Sequence, residues 1–559
     1  MNDVIIVKPE KCAGCNACIR ACPISEANIT RQLDDGRFIV TVNADKCIAC
    51  GACIKACPNS ARDYIDDTEK CMAAIDEEPV AILVSPALRV TYPTQWKGIL
   101  DWFKKKKCLV YDVGFGADIC SWAHLKAIEF NKLGSVITQP CSAVVNYIEM
   151  YKPMLLQNVS TIHSPECCSA IYISKYQKRT QKIAFLSPCP AKKREINATG
   201  LIQFNVTFKK LMDYFDKNDI RIANNEADDY DYEFEGTQGL MGSVYSRPGG
   251  LKDNLTMRNP SISAISSEGP QRIYDELDKY AAFSSAKKLD VFDVMSCEYG
   301  CNDGAGTGKN WSCFDLAARM QKIESNIKAK LGTKTVLRSS SDERLYKKFD
   351  NELELSNFIR TYRPAMGAMV FQSQSGVEEA FSDMHKTTEE SRNINCGACG
   401  YKSCRQMAEA ISKGQNVPVN CAFYARSVLL SDGLSHSKNS DRVKLITDKC
   451  KIFSERLSDD LQTITNNIDS VSVSVDEAKE RIHVVSGLLK NVIDFCSKNP
   501  EMDKETVTQL KKILEATSTA FAAMDEYLSM TDSATNSSKK NAERLQAIIG
   551  DLNDELFTE

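Results

Sequence analysis

Twice within its opening segment the chain spells the same cysteine ladder, and no other feature limits its folds so tightly. Cys12, Cys15, Cys18 and Cys22-Pro23 read C-x2-C-x2-C-x3-C-P, and Cys47, Cys50, Cys53 and Cys57-Pro58 repeat it. Thiolates two residues apart on a turn can converge on one inorganic cluster, and in duplicated modules of this kind the fourth Cys serves the other cluster. The spacing therefore predicts a two-cluster 4Fe–4S domain over residues 1–76. Cys12, Cys15, Cys18 and Cys57 are expected on one cluster, and Cys47, Cys50, Cys53 and Cys22 on the second. A pair of zinc ribbons would leave the duplicated triple spacing and the C-P ends without a purpose. Two adjacent clusters form a short electron wire, so a redox centre is expected further along the chain.

The chain holds 24 cysteines in 559 residues. A disulfide framework belongs to short exported sequences, whereas these cysteines fall in C-x-x-C clusters. The start, MNDVIIVKPEKC, has no basic segment followed by a long apolar run, and nothing approaches the roughly 18 apolar residues of a membrane helix. A cytoplasmic protein is expected. A net charge of −4 with 26% charged residues gives no reason to propose nucleic acid or a membrane as partner. The length calls for several domains. Strand candidates AILVSPA, CLVYDVGF, KIAFLSPC and LDVFDVMSC alternate with helical stretches such as ADICSWAHLKAIEFNKLG, which predicts an α/β domain over residues 77–378. Ser373–Asn393 reads as a linker. A compact cysteine-rich segment follows, within residues 379–430, and a helical tail occupies residues 431–559.

Within the α/β region, cysteines stand at the apparent ends of strands: Cys141 in ITQPCSAVV, Cys189 in FLSPCPAKKREI, and Cys297 and Cys301 in VMSCEYGCNDGAGTG. Ligands collect at strand C-termini in such sheets, so four thiolates converging there would hold one cluster. Lys192 could direct a cation at an anionic ligand of that cluster, and the glycines after Cys301 would allow close backbone approach.

In this order, and behind the duplicated head, these segments resemble those of FeFe-hydrogenases; P-C-x-A-K-K-x-E and C-x-x-G-C are the specific parts. The resemblance implies an α/β H-cluster domain behind an α+β ferredoxin-like domain. It further implies an H-cluster: a 4Fe–4S unit on Cys141, Cys189, Cys297 and Cys301, with Cys301 bridging to a diiron unit that carries CO, cyanide and an azadithiolate. Lys192 then corresponds to the lysine that contacts a cyanide, Met295 to a methionine packed on the diiron unit, and Pro86 to a proline of the same pocket. The implied reaction interconverts H2 with two protons and two electrons.

Departures from the family pattern bear on proton delivery. Catalytic members carry a proton-passing cysteine just before the first cluster ligand, whereas this chain has Pro140. His124 and Ala127 fall where those enzymes have a pair of helical glutamates. Ser160 and Glu195 match polar members of the pathway. Ser187 replaces a usual methionine, Glu166 a glutamine, and Cys167 and Cys168 adjoin it. Since a relay contributes about 10²–10⁴-fold in rate, a slow enzyme is expected unless Glu166, a cysteine or water substitutes; His124 is a separate relay candidate.

Cys396, Cys399, Cys404 and Cys421 follow C-G-x-C-G-x4-C with a distant fourth member, resembling a small helical 4Fe–4S domain of anaerobic redox proteins; a third 4Fe–4S cluster outside the H-cluster is expected there. Cys71, Cys108, Cys120, Cys167, Cys168, Cys313, Cys450 and Cys496 are left as free thiols. The tail places apolar residues three and four apart from Val443 to Val475 and again from Val507 to Leu528, with a break at Asn499-Pro500. That pattern predicts a coiled-coil-like hairpin suited to homodimerisation. An H-cluster domain followed by the extra cluster and a tail resembles sensory FeFe-hydrogenases without a PAS domain. That implies H2 sensing passed to an unknown signalling protein such as a kinase or phosphatase. A ferredoxin-linked catalytic hydrogenase and a non-enzymatic iron–sulfur assembly protein are the alternatives.

Overall fold

The computed structural model describes residues 4–130, 135–225, 232–282, 289–331, 341–365 and 374–432, with scattered tail residues between 462 and 543. Two compact units result, Met1–Ser427 and Val428–Glu559.

Two short antiparallel ribbons frame the head. Strand β1 (Ile5–Val7) waits for β4 (Arg62–Tyr64), pairing Ile5 with Tyr64, while β2 (Asn28–Gln32) pairs locally with β3 (Phe38–Val42). Each ladder closes through a short helix, Ala17–Ala21 or Ala52–Lys55, entered through a left-handed residue, Asn16 or Gly51. That conformation turns the chain inward so that cysteines on either side of it face one another.

The next region is α/β with two parallel sheets. β5 (Ala81–Val84), β6 (Leu109–Asp112), β8 (Ile183–Ser187) and β9 (Phe204–Thr207) form the order β6-β5-β8-β9. β7 (Val136–Ile137), β10 (Ala264–Glu268) and β11 (Val291–Met295) form β10-β11-β7. Every residue of β5, β8 and β11 is buried, as expected of parallel strands covered on both faces. The four strand candidates read from the sequence are all strands, and the Val113–Glu129 helix covers most of the predicted helical stretch.

Ser373–Asn393, expected as a linker, is structured from Gln374. Helix Gln374–Asp383 and the turn after it bury Val377, Ala380, Phe381 and Met384 in one apolar cluster with the cysteine-rich segment, and helix Glu389–Arg392 follows. That i, i+3, i+4, i+7 stripe outweighs the polar composition on which the linker reading rested.

In the second unit, Lys479 pairs with Asp532 at 3.2 Å and Lys539 with Asp469 at 2.7 Å, so two helical segments run antiparallel. Much of the predicted apolar stripe, and Cys450 and Cys496, lies outside the described residues. Among those residues no helix is long and apolar enough to cross a membrane.

Candidate metal centres and their polar surroundings

Three strand ends deliver the central cysteines. Cys189 lies two residues past β8, where Ser187 Oγ accepts its backbone N–H at 3.0 Å and donates to its carbonyl at 3.1 Å. Ser187 therefore shapes the Cys189 turn. Cys141 starts the Ser142–Tyr151 helix, and the Ser296 N–H points at its sulfur, 3.4 Å away. Cys297 follows β11, whose last residue, Met295, is buried. Cys301 is fixed by its N–H to Ser246 O at 2.8 Å. The loop beyond it lies directly on the Cys189 turn: a Cβ on Gly304 would come within 2.4 Å of Pro188 O, and one on Gly306 within 2.8 Å. Only glycine permits that approach.

The four thiols sense one another. Burial raises Cys297 well above the ordinary value, with Cys189, Cys141 and Cys301 adding to it, and raises Cys189 to about 11 with Cys141 adding. Neutral thiols crowded in this way suit a cationic metal group, which would hold them as thiolates.

Lys192 stands beside them, almost wholly buried. Its ammonium donates to Pro140 O at 2.7 Å and to Glu195 at 2.8 Å, and it pairs with Glu166. Glu195 also accepts from Ser142 Oγ at 2.6 Å and Arg360 at 2.7 Å. Burial works against both carboxylates but with opposite outcomes. It prevails at Glu166, whose carboxyl is raised, while Lys192 and Arg360 overcome it at Glu195, which is held well below the usual range. One acid is thus poised to hold a proton and the other to stay ionised. Lys192 and Glu166 both act on the Cys301 thiol. Pro86 begins the buried Ala87–Thr91 turn after β5.

The adjacent cysteines diverge. Cys167 faces Glu195 at 3.9 Å, whereas Cys168 approaches His163 O at 3.3 Å. His124 is fully buried, its Nε2 2.7 Å from Ser160 Oγ and its Nδ1 2.8 Å from Cys120 O. Cys120 Sγ lies 3.7 Å from the same Nδ1. Burial raises the Cys120 thiol, yet contacts from Cys168 and His124 bring it below its ordinary value. Ala127 is a buried apolar residue with no proton to offer. Sequence reading missed Arg360, Ser142 and Cys120, and only Cys120, one helical turn before His124, carried a signal there.

In the head, Cys22 crosses from the first ladder to join Cys47, Cys50 and Cys53 around one small cavity. Cys18 lies near Cys15 and Cys12 and receives Arg62 Nη2 at 3.0 Å. Cys57 Sγ accepts the Ala61 N–H at 3.2 Å. Cys396, Cys399, Cys404 and Cys421 line another small cavity, with Lys386 in its wall. A single tetrahedral zinc at about 2.3 Å from each sulfur draws its donors tightly together. Among the described residues no group of three His, Cys, Asp or Glu is gathered closely enough to hold one ion. Four thiols lining one cavity are the donor set of a 4Fe–4S group.

Residues 78–305 match the family model of the iron only hydrogenase large subunit, C-terminal domain. Residues 11–61 match a 4Fe-4S dicluster domain, and residues 393–423 an Fe-S cluster model. Among solved structures, the chain is similar to an FeFe-hydrogenase studied for oxygen inactivation through its H cluster 2Fe subcluster, at 15% identity and TM-score 0.41, covering 54% of this chain and 100% of that one. It is also similar to an FeFe-hydrogenase of Chlamydomonas reinhardtii, at 15% identity and TM-score 0.38 with the same coverages.

Proposed function

We propose that this chain, an FeFe-hydrogenase-like iron–sulfur protein, converts H2 slowly and reversibly to protons and electrons, and that its purpose is to report H2 rather than to process it in bulk. The observation that carries the reading is the Pro140–Lys192–Glu166–Glu195 arrangement beside Cys301. Pro140 has no titratable group and no N–H, so the position next to Cys141 cannot pass a proton.

On this reading Cys141, Cys189, Cys297 and Cys301 hold the H-cluster, which supplies the H2 chemistry when bound. The two head sets and the Cys396 set hold 4Fe–4S clusters. Lys192 provides a fixed cation for an anionic ligand. Glu166, raised by burial, is the acid closest in character to a substitute relay, while Glu195, Ser142 and Arg360 keep Lys192 in place. Ser160 and His124 form a second buried polar pair that can hold a proton further out. Residues 428–559 act as a dimerising and signalling unit toward a partner protein, and a ferredoxin is the natural class of external redox partner.

The test is infrared spectroscopy of the matured protein under H2 and under inert gas. CO and cyanide bands that shift under H2 are expected, and their absence would instead indicate an assembly protein. Turnover with a dye acceptor should rise about 10²–10⁴-fold in Pro140→Cys, the range a restored relay supplies. Wild-type turnover already at the variant's level would reject the slow-sensor reading.

A further inference from the structure

The 393–423 segment follows the hydrogenase-like domain in sequence, yet it is built onto the head. Gly400, with φ +94°, approaches so closely that a Cβ on it would stand 3.0 Å from Asn16 O and 3.0 Å from Ile19 Cβ. Gly400 directly follows Cys399, and Asn16 and Ile19 bracket Cys18 of the first ladder. Around this point the Thr30 N–H donates to Gln415 O at 2.8 Å, Asn420 Nδ2 donates to Thr30 Oγ1 at 3.2 Å, and Lys413 pairs with Glu26. Tyr401, 4% exposed, is buried in one apolar cluster with Cys18 and Ile19 of the head and with Cys399, Cys404 and Cys421.

On its other side the head meets the central site just as closely. A Cβ on Gly51 would fall 2.3 Å from Ala305 Cβ, and Asn146 Nδ2 donates to Ile48 O at 3.1 Å. Tyr274, hydrogen-bonded to Ser296 at 2.8 Å, is buried in an apolar cluster against which Cys50 and Cys141 pack. By contrast, the ion pair that joins the 393–423 segment to the hydrogenase-like domain, Lys402–Asp275 at 3.7 Å, is exposed.

We propose that the contact between Asn16–Ile19 and Cys399–Tyr401 is an electron-transfer junction, which makes the Cys396 set the far terminal of a wire running from the central cysteines through the head. The proposal rests on the iron–sulfur reading of the cysteine sets given above. One electron crosses, the group on the first ladder is oxidised and that on the Cys396 set reduced, and no bond forms or breaks. H2, or dithionite in its place, supplies the electron. A buried cation stands on each side of the junction: Arg62 donates to Cys18 Sγ at 3.0 Å, and Lys386, 1% exposed, lines the Cys396 cavity with its ammonium 4.2 Å from the Phe423 ring. A fixed buried cation stabilises the more negative, reduced form of a neighbouring group.

Electron paramagnetic resonance of the full chain, reconstituted anaerobically with iron and sulfide and reduced with dithionite, reads the junction directly. The expected signal of the Cys396 set is broadened by spin coupling to a head neighbour. The Cys399→Ser/Cys421→Ser double variant should lose that signal and sharpen the head's. Uncoupled wild-type signals, which need no variant to detect, would overturn the junction. In the matured protein, with H2 as reductant, the Cys396-set signal should appear in wild type and be lost in Cys15→Ser, where dithionite still elicits it. Its appearance under H2 at the wild-type rate in Cys15→Ser would overturn the wire. If H2 reduces no set in wild type, the H2 chemistry proposed above fails, and the dithionite spectrum still decides the junction.

Discussion

Lys192 has three N–H groups, and Pro140 O, Glu166 and Glu195 engage its ammonium. Such a cation is held in position by the loss it would suffer on moving, since breaking a buried pair costs about 3–5 kcal/mol. The same neighbourhood yields a pH prediction through His163, whose carbonyl accepts from Cys120, Cys168 and Gln139. Burial, aided by the Arg360 cation, lowers the His163 imidazole to about 4. The unfolded chain, titrating at about 6.5, therefore takes up a proton that the folded protein refuses between these values. Stability is fully present above about pH 6.5 and is lost as pH falls toward 4, by at most about 1.4 kcal/mol per pH unit. Urea unfolding at pH 7 and pH 5 should show a smaller drop in His163→Gln than in wild type. An equal drop would mean that other groups carry the acid sensitivity.

Helix against helix, the closest fit on the polar side of the site is between Val113–Glu129 and Pro165–Ile171. A Cβ on Gly116 would stand 2.0 Å from Ser169 Oγ and 2.3 Å from Pro165 O. The latter is backbone and cannot swing aside. Gly116→Ala should therefore cost about 1–3 kcal/mol through overpacking, read as a lower thermal midpoint. It should also disturb the Cys120–Cys168 neighbourhood that this approach creates. An unchanged midpoint would show that the helices slide at no cost. None of this closeness was visible in the sequence, where Gly116 falls between a strand candidate and a helical stretch. The ladders and strand runs were legible because their chemistry is local: cysteines two apart, or apolar residues in an unbroken row. Arg360 and Glu195 lie 165 residues apart, and Arg62 meets Cys18 across 44. Pairs of that kind are set by the order of strands within a sheet, which spacing does not encode. Ser187 shows the intermediate case, since its position was singled out but its service to the Cys189 turn emerged only from the folded backbone.

At the scale of the whole molecule, the division after Ser427 separates a unit rich in cysteine from one in which the described residues form antiparallel helices. Val475 and Ala542 are buried within the second unit, yet Val484, Leu488 and Phe495 expose 55%, 58% and 72% of their surface. We propose that these large apolar side chains, left in water along one helical segment, form an association face. Their spacing of four and seven residues is that of a helix–helix seam. A second copy presents the same seam in a form able to close with two-fold symmetry, so a dimer is the economical partner. Light scattering should accordingly give a dimeric mass for the full chain. A chain ending at Ser427 should be monomeric and keep the thermal transition and infrared bands of its cysteine-rich unit. A dimeric truncated chain would move the interface into the first unit. Loss of the cooperative transition on truncation would show that the second unit supports the fold of the first. In the full chain, Leu488→Glu together with Phe495→Glu places charges on the seam while leaving Val475 and Ala542 untouched. It should dissociate the dimer without lowering the thermal midpoint of the first unit.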